Sequence, residues 1–189
     1  MIFGMPRALY PEIAEVNFGG GDAGATMLAF MYSSMAVGAV LGGVLSGWVS
    51  RISRQGVAVY WCIIAWGAAV ALGGVAIIVS PGAVTAWAWM FIIMMVIGGM
   101  ADMFSSAVRN AILQQSAAEH VQGRIQGVWI IVVVGGPRLA DVLHGWAAEP
   151  LGAGWTVLWG GVTVVVLTAI CMVAVPKFWK YEKPRITGI

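Results

Sequence analysis

Five long apolar stretches constrain the fold of this 189-residue chain more than any other feature. They cover residues 27–49, 57–79, 84–108, 126–148 and 153–175. A helix needs about 20 apolar residues to cross the hydrocarbon core of a bilayer, and a lipid-facing backbone must satisfy its own hydrogen bonds. The stretches are continuous rather than alternating, which favours helices over strands. The sequence therefore predicts an all-α membrane bundle over residues 1–175, in which residues 1–14 are apolar but too short to span, followed by a tail at residues 176–189.

The composition supports the lipid bilayer as a partner and argues against nucleic acid. Hydrophobic residues make up 60% of the chain and charged residues 10%, with a mean hydropathy of +0.90. Soluble domains contain about 25% charged residues. The formal net charge is only +2, and the basic residues are grouped at the ends of the apolar stretches rather than along one face.

The distribution of charge between the connections predicts the orientation. Eight of the ten basic residues lie in alternate connections, all on one side: Arg51, Arg54, Arg109, Arg124, Lys177, Lys180, Lys183 and Arg185. The opposite connections contain acidic residues and no lysine or arginine. Because cytoplasmic loops carry the excess of lysine and arginine, we expect these eight residues in the cytoplasm. The predicted topology has several crossings and a cytoplasmic C-terminus.

Three ionisable residues interrupt the fourth stretch, in the segment GGPRLADVLHG at 135–145. Arg138 lies near the middle of the membrane, where a charged side chain costs about 2.5–3.5 kcal/mol. Asp141 and His144 follow at intervals of three residues, which we interpret as one shared helical face. Such residues are expected to avoid lipid and to find partners.

A second charged pair lies near the end of the third stretch, where Asp102 precedes Arg109 by seven residues. Arg109 is expected to extend to the membrane surface and to leave Asp102 about 10 Å deeper. Two interpretations remain open for these charges. Either Arg138 with Asp141, and Asp102 with Arg109, are structural pairs that fix helix register, or Arg138, Asp141 and His144 face a central cavity and take part in substrate binding or proton coupling.

No arrangement of residues typical of an enzyme, cofactor site or metal site is present. The two histidines, His120 and His144, have no cysteine or glutamate at metal-ligand spacing. Cys62 and Cys171 lie in apolar runs and suggest packing residues. The chain also lacks a phosphate-binding loop. We predict a protein that is not an enzyme, with no cofactor and no metal.

Small residues recur every four positions in the first stretch, at Ser34, Gly38, Gly42 and Ser46. Such spacing lets helix backbones approach closely where lipid gives no hydrophobic driving force. Helix packing is the simpler interpretation. The alternatives are helix sliding in a transporter and docking onto a partner subunit.

Three motifs resemble the major facilitator superfamily, in the branch that contains bacterial siderophore exporters. FGMPRALYPEIA at 3–14 is similar to the end of that branch's seventh helix, GGMADMFSSAVRNAILQQ at 98–115 with GRIQG at 123–127 to its tenth helix and following loop, and GGPRLADVLHGWAA at 135–148 to its eleventh helix. The segment at 47–56 departs from the superfamily loop motif, because Arg51 stands at the acidic position.

The resemblance implies part of helix 7 plus helices 8 to 12 of a twelve-helix transporter. The substrate site of such a transporter lies between two six-helix halves, so the chain is expected to require a missing N-terminal half. Together with depth in the membrane and a shared helix face, the resemblance implies Arg7, Asp102, Arg138 and Asp141 as polar groups of a pathway for a small-molecule substrate and protons. The implied location is the bacterial inner membrane. We predict proton-coupled export, with an enterobactin-like siderophore as the favoured substrate. The alternatives are multidrug or antibiotic efflux and a membrane subunit that does not transport.

Overall fold

The computed structural model of the chain describes residues 7–47, 52, 54–116 and 122–176. A short N-terminal segment, residues 7–17, comprises a 3-10 turn at Arg7–Leu9, one α-helical turn α1 at Tyr10–Glu12 and a π-helical turn at Ile13–Asn17. Five long helices follow: α2 (Gly21–Leu45), α3 (Gln55–Val79), α4 (Ala86–Ser116), α5 (Gln122–Leu151) and α6 (Ala153–Ala174). All five are long and apolar enough to cross a membrane. The predicted all-α class is confirmed, and the described ranges contain no strand.

Two helices extend into the predicted cytoplasmic loop between the third and fourth stretches. α4 continues to Ser116 and α5 begins at Gln122, so Arg109 and Arg124 are helical residues rather than loop residues. The sequence expectation was wrong here because polar side chains such as Asn110 and Gln114 do not end a helix that leaves the membrane. Arg54 immediately precedes α3, whereas Arg51 and residues 177–189 lie outside the described residues.

Glycines set the close contact between α2 and α4. A Cβ atom added at Gly38 would collide with the carbonyl of Val96, and one at Gly99 would collide with the carbonyl of Met35. Gly42 faces Met100 in the same way, because a Cβ atom added at Gly42 would lie 3.0 Å from the Met100 carbonyl oxygen. The packing interpretation of the small-residue series in α2 is therefore confirmed, and its partner is α4.

A second glycine contact joins α3 to α6. Gly67 and Gly161 face each other, since a Cβ atom added at either position would come within 3.1 Å of the other's carbonyl oxygen. Gly74 faces the backbone of Leu158. Together with the packing of α3 on α4, this contact produces a continuous row of four helices in the order α2, α4, α3 and α6.

The N-terminal segment and the adjoining Phe18 pack against α2, α4 and the end of α3. Tyr10, Ile13 and Phe18 are fully buried, and the rings of Tyr10 and Phe18 lie 6.1 and 5.8 Å from the ring of Phe91. The Ser80 hydroxyl donates a hydrogen bond of 2.6 Å to the carbonyl of Asn17. These contacts hold Arg7, at the start of the segment, close to α5.

Helix α5 is the least covered of the five. Only 6% of its apolar stretch is buried, against 28–44% in the other four helices. Its buried residues, Ala140, His144 and Ala148, form a single narrow line. Much of the rest of its surface is exposed, including Val128, Leu139, Val142 and Trp146. Most of α5 is thus free to contact lipid or another protein segment.

The α2–α4 contact predicts a difference between two glycines in one helix. Gly38→Ala places a methyl group against the Val96 carbonyl and should lower the free energy of unfolding by about 1–3 kcal/mol. Gly43→Ala is the matched control, because the nearest atom to an added Cβ is the Met103 Cε at 3.9 Å. Thermal unfolding in detergent should show a lower midpoint for Gly38→Ala only. Equal midpoints for the two variants would contradict this contact.

Candidate functional site

A groove with a volume of about 550 Å³ separates α5 from α2 and the N-terminal segment. Three of the predicted site residues line it: Arg7, Arg138 and Asp141. The remaining lining residues are Ala8, Tyr32, Val133, Val134 and Pro137. Residues 131 positions apart in the chain therefore meet in one cavity, and each of its two sides carries charged and apolar residues.

The groove carries a net positive charge. Two guanidinium groups, from Arg7 and Arg138, face one carboxylate, from Asp141. The closest nitrogen–oxygen distance between Arg138 and Asp141 is 4.0 Å, and their side chains are 83% and 26% exposed. This is a loose ion pair. Much of the Arg138 guanidinium is left to contact another group, and the groove is suited to a ligand with anionic or hydrogen-bond-accepting oxygens.

Arg138 lies deep in the helix rather than near either end. It is 16 residues after Gln122 and 13 before Leu151, which corresponds to about 24 and 20 Å along the axis. α5 is helical through Pro137. If the helix spans a bilayer, the charged wall of the groove is close to the midplane, where exposure to lipid is unfavourable.

His144 does not share the face of Arg138, contrary to the sequence expectation. The His144 residue is 5% exposed and belongs to the buried line of α5, whereas the Arg138 side chain is 83% exposed. The reason is geometric: each step of three residues rotates the helix by about 300°, so two steps displace the third residue by about 120°. His144 is therefore not a lining residue of the groove.

Asp102 also lies outside the groove and pairs with Arg109. The Nη2 atom of Arg109 is 3.4 Å from Oδ1 of Asp102, and the side chains are 15% and 33% exposed. Side chains in a helix tilt toward its N-terminus, so Arg109 reaches back along α4 toward Asp102. The predicted extension of Arg109 to the membrane surface was wrong. The Nε atom of Arg109 donates a 3.2 Å hydrogen bond to the Ser105 carbonyl.

The Asp102–Arg109 pair borders a small chamber of about 70 Å³ between α3 and α4. Ser105 also lines it, and its buried hydroxyl has no hydrogen-bond partner among the described residues. The guanidinium carbon of Arg109 lies 5.7 Å from the centre of the Trp129 ring, a cation–π distance. Asp102 and Arg109 therefore form a pair, and α5 contacts it through Trp129. A role of the pair in fixing helix register stays a prediction.

Sequence reasoning missed the aromatic wall of the groove. Tyr32 lines the groove from α2, and its ring lies 5.3 Å from that of buried Tyr10 in an edge-to-face arrangement. Tyr32 lies two residues before Ser34, the first member of the small-residue series of α2, so a helical wheel places it on the opposite, exposed side. Only the fold shows that α5 and the N-terminal segment border that side.

The fold and the groove define a multi-pass α-helical membrane protein with a charged groove beside α5. No group of three or more histidine, cysteine, aspartate or glutamate side chains in the described ranges is arranged to hold a metal ion.

Comparison with curated proteins identifies enterobactin exporters as relatives. The chain is 24% identical over 185 residues to the enterobactin exporter EntS of Escherichia coli O81 (strain ED1a), and equally to EntS of Escherichia coli O139:H28 and of Escherichia fergusonii. Each match covers 96% of this chain and 41% of the relative, in its C-terminal half. The homology is weak in identity, but it confirms the predicted resemblance to a siderophore-exporter branch of the major facilitator superfamily.

Two further comparisons gave no relatives: no protein-family model matches the chain, and no solved structure matches it significantly. Homology to membrane exporters supports a transporter rather than an enzyme. The chain spans about two-fifths of the length of the relatives it matches.

The Asp102–Arg109 pair predicts a stability effect. Asp102→Asn leaves the largely buried Arg109 guanidinium without its carboxylate and should lower the free energy of unfolding by about 1–3 kcal/mol. Glu149→Gln, at an exposed carboxylate near the end of α5, should change it by less than about 0.5 kcal/mol. Unfolding in detergent checks both variants. A double-mutant cycle with Arg109→Gln that gives no coupling energy would show that the pair does not act as described.

Proposed function

We propose that this chain is the C-terminal part of a proton-coupled secondary exporter of small molecules in the bacterial inner membrane. The basic connections then lie in the cytoplasm, together with the C-terminus. The favoured substrate is a siderophore of the enterobactin type, since the relatives are enterobactin exporters. The observation that carries the proposal is the groove in which Arg7 of the N-terminal segment meets Arg138 and Asp141 of α5, the least covered helix.

The chemistry of the groove fits a substrate with phenolic oxygens. Arg7 and Arg138 can donate hydrogen bonds to a phenolate or carboxylate oxygen, while the Asp141 carboxylate can accept one from a phenolic hydroxyl. Tyr32 and the apolar side chains of Val133 and Val134 can contact the aromatic ring of such a substrate. A ligand that carries neighbouring phenolic groups would thus use both charged walls.

Proton coupling follows from competition at Asp141. A substrate hydroxyl and an incoming proton both need the lone pairs of the Asp141 carboxylate. Protonation of Asp141 therefore weakens substrate binding, and substrate binding disfavours protonation, as exchange of the two requires. A purely anionic substrate would behave differently, because its charge favours a protonated neighbour. The proposed antiport thus depends on a hydroxyl donor in the substrate.

The exposed surface of α5 supports the need for a second half. Among the described residues, no element covers the exposed side of α5. A cavity between two halves requires a wall on that side. The N-terminal six helices of a complete transporter would supply it. The 189-residue chain alone is accordingly expected not to transport, and export from vesicles that contain this chain alone would contradict that expectation.

Asp141→Asn in the complete transporter tests the coupling role. The asparagine amide resembles a protonated carboxyl and cannot exchange a proton. We expect export of a phenolic siderophore, driven by a pH gradient in everted vesicles, to fall about tenfold or more, because a hydrogen bond to a charged group contributes about 1.5–3 kcal/mol. The remaining export should lose its pH dependence.

Glu149→Gln is the matched control for this experiment, because Glu149 is an exposed carboxylate on the same helix and lies outside the groove. It should leave both rate and pH dependence unchanged. Unchanged, pH-dependent export by Asp141→Asn at equal expression would contradict the role of Asp141. Export of unrelated cationic drugs, but of no phenolic compound, would favour multidrug efflux instead.

A further inference from the structure

A second, almost entirely apolar groove lies on the outer side of the bundle, where α3 begins and α4 approaches its end. Its volume is about 340 Å³, and its walls include Val57 and Trp61 from α3 and Phe104 and Val108 from α4. Arg54, which directly precedes α3, also lines it. The groove is distinct from the charged cavity on α5, with which it shares no residue.

The positions of these residues match the depth profile of a membrane surface. Arg54 is seven residues before Trp61, or roughly 10 Å along the helix axis. Arg54 is exposed, and Trp61 is 62% exposed although it lies in an apolar helix. Tryptophan is enriched at the membrane interface, with arginine at the level of the headgroups. The groove therefore runs from the headgroup layer into the outer part of the hydrocarbon layer.

We propose that this groove binds one anionic glycerophospholipid. The headgroup phosphate contacts the Arg54 guanidinium, and an acyl chain lies between Trp61 and Phe104. The charge of Arg54 is complementary to the phosphate, and basic pockets between transmembrane helices recognise anionic headgroups. The N-terminus of α3 adds positive potential, because no side chain caps it. The proposal does not depend on the transport function.

Lipid fits the groove better than a protein partner does. The apolar wall is exposed, and Arg54, the one charged side chain among its described lining residues, lies at the end where α3 begins. A partner helix would instead require small residues for close approach, whereas Trp61 projects from this surface. A guanidinium has five N–H donors. Arg54 can therefore donate to a phosphate oxygen while it keeps the interaction that it makes within the chain.

A comparable apolar groove beside Arg124 provides the control. Leu113, Val128, Trp129 and Val132 form its wall at the same end of the bundle. It is built on α5, which the proposed N-terminal half would cover, and the Trp129 ring already contacts the Arg109 guanidinium. Arg124→Gln therefore removes the same charge from the same membrane surface without changing the Arg54 groove.

Tryptophan quenching measures the occupancy of the groove directly. The full chain is reconstituted in phosphatidylcholine vesicles with increasing fractions of phosphatidylglycerol brominated on its acyl chains, which quench nearby tryptophans. The contribution of Trp61 is the difference between the wild-type chain and Trp61→Phe. The binding constant obtained from quenching of Trp61 should be higher for brominated phosphatidylglycerol than for brominated phosphatidylcholine. Arg54→Gln should reduce the ratio of the two constants about fivefold.

Arg124→Gln should leave the preference at Trp61 unchanged. Circular dichroism of each variant verifies that the helices are formed, and Arg54 is exposed at a helix end, where substitution is tolerated. Equal quenching of Trp61 by the two lipids in the wild-type chain would overturn the proposal. An equal loss of preference in Arg54→Gln and Arg124→Gln would also overturn it, because general surface charge would then explain the attraction.

Discussion

The charges at the centre of α5 are the constraint on which the organisation of this protein depends. An arginine in the middle of a bilayer is unfavourable unless protein or water surrounds it. Arg138 is exposed in this chain, with only a loose contact of 4.0 Å to Asp141. The N-terminal segment brings Arg7 to the same groove and adds a second positive charge. The arrangement is favourable only if a polar ligand, water or another protein segment occupies the groove, and a transport cavity provides all three.

The remaining helices form the support for this face. Glycine contacts bring α2 against α4 and α3 against α6 with backbones nearly touching, which leaves little freedom for those helices to separate. The Asp102–Arg109 pair and the Trp129 ring connect α4 to α5 without contributing to the groove. The densely packed row thus holds one wall of the cavity, while α5 contributes Arg138 and Asp141 from the other side. Such a division agrees with homology to the C-terminal half of an exporter.

The sequence predicted the all-α class, since apolar length alone specifies membrane helices, and it identified the charges that line the groove. It could not predict which helices pair, because the glycine spacing in α2 indicates close approach but not the partner. It also misplaced His144, since three-residue spacing drifts around the helix. The chamber beside Ser105 and the aromatic wall at Tyr32 depend on long-range contacts between helices. No pattern local to one helix contains that information.

The central claim is that the Arg138 face of α5 borders a water-accessible cavity in the complete transporter. Val134 and Leu139 test it most directly, because they are similarly exposed in this chain, at 60% and 52%, but only Val134 lines the groove. Single cysteines are placed at each position in the assembled protein, with Cys62 and Cys171 replaced by alanine, and treated with a charged, membrane-impermeant thiol reagent. The account predicts reaction at position 134, slowed by a phenolic substrate, and no reaction at position 139. Equal reactivity at the two positions, or none at position 134, would contradict it.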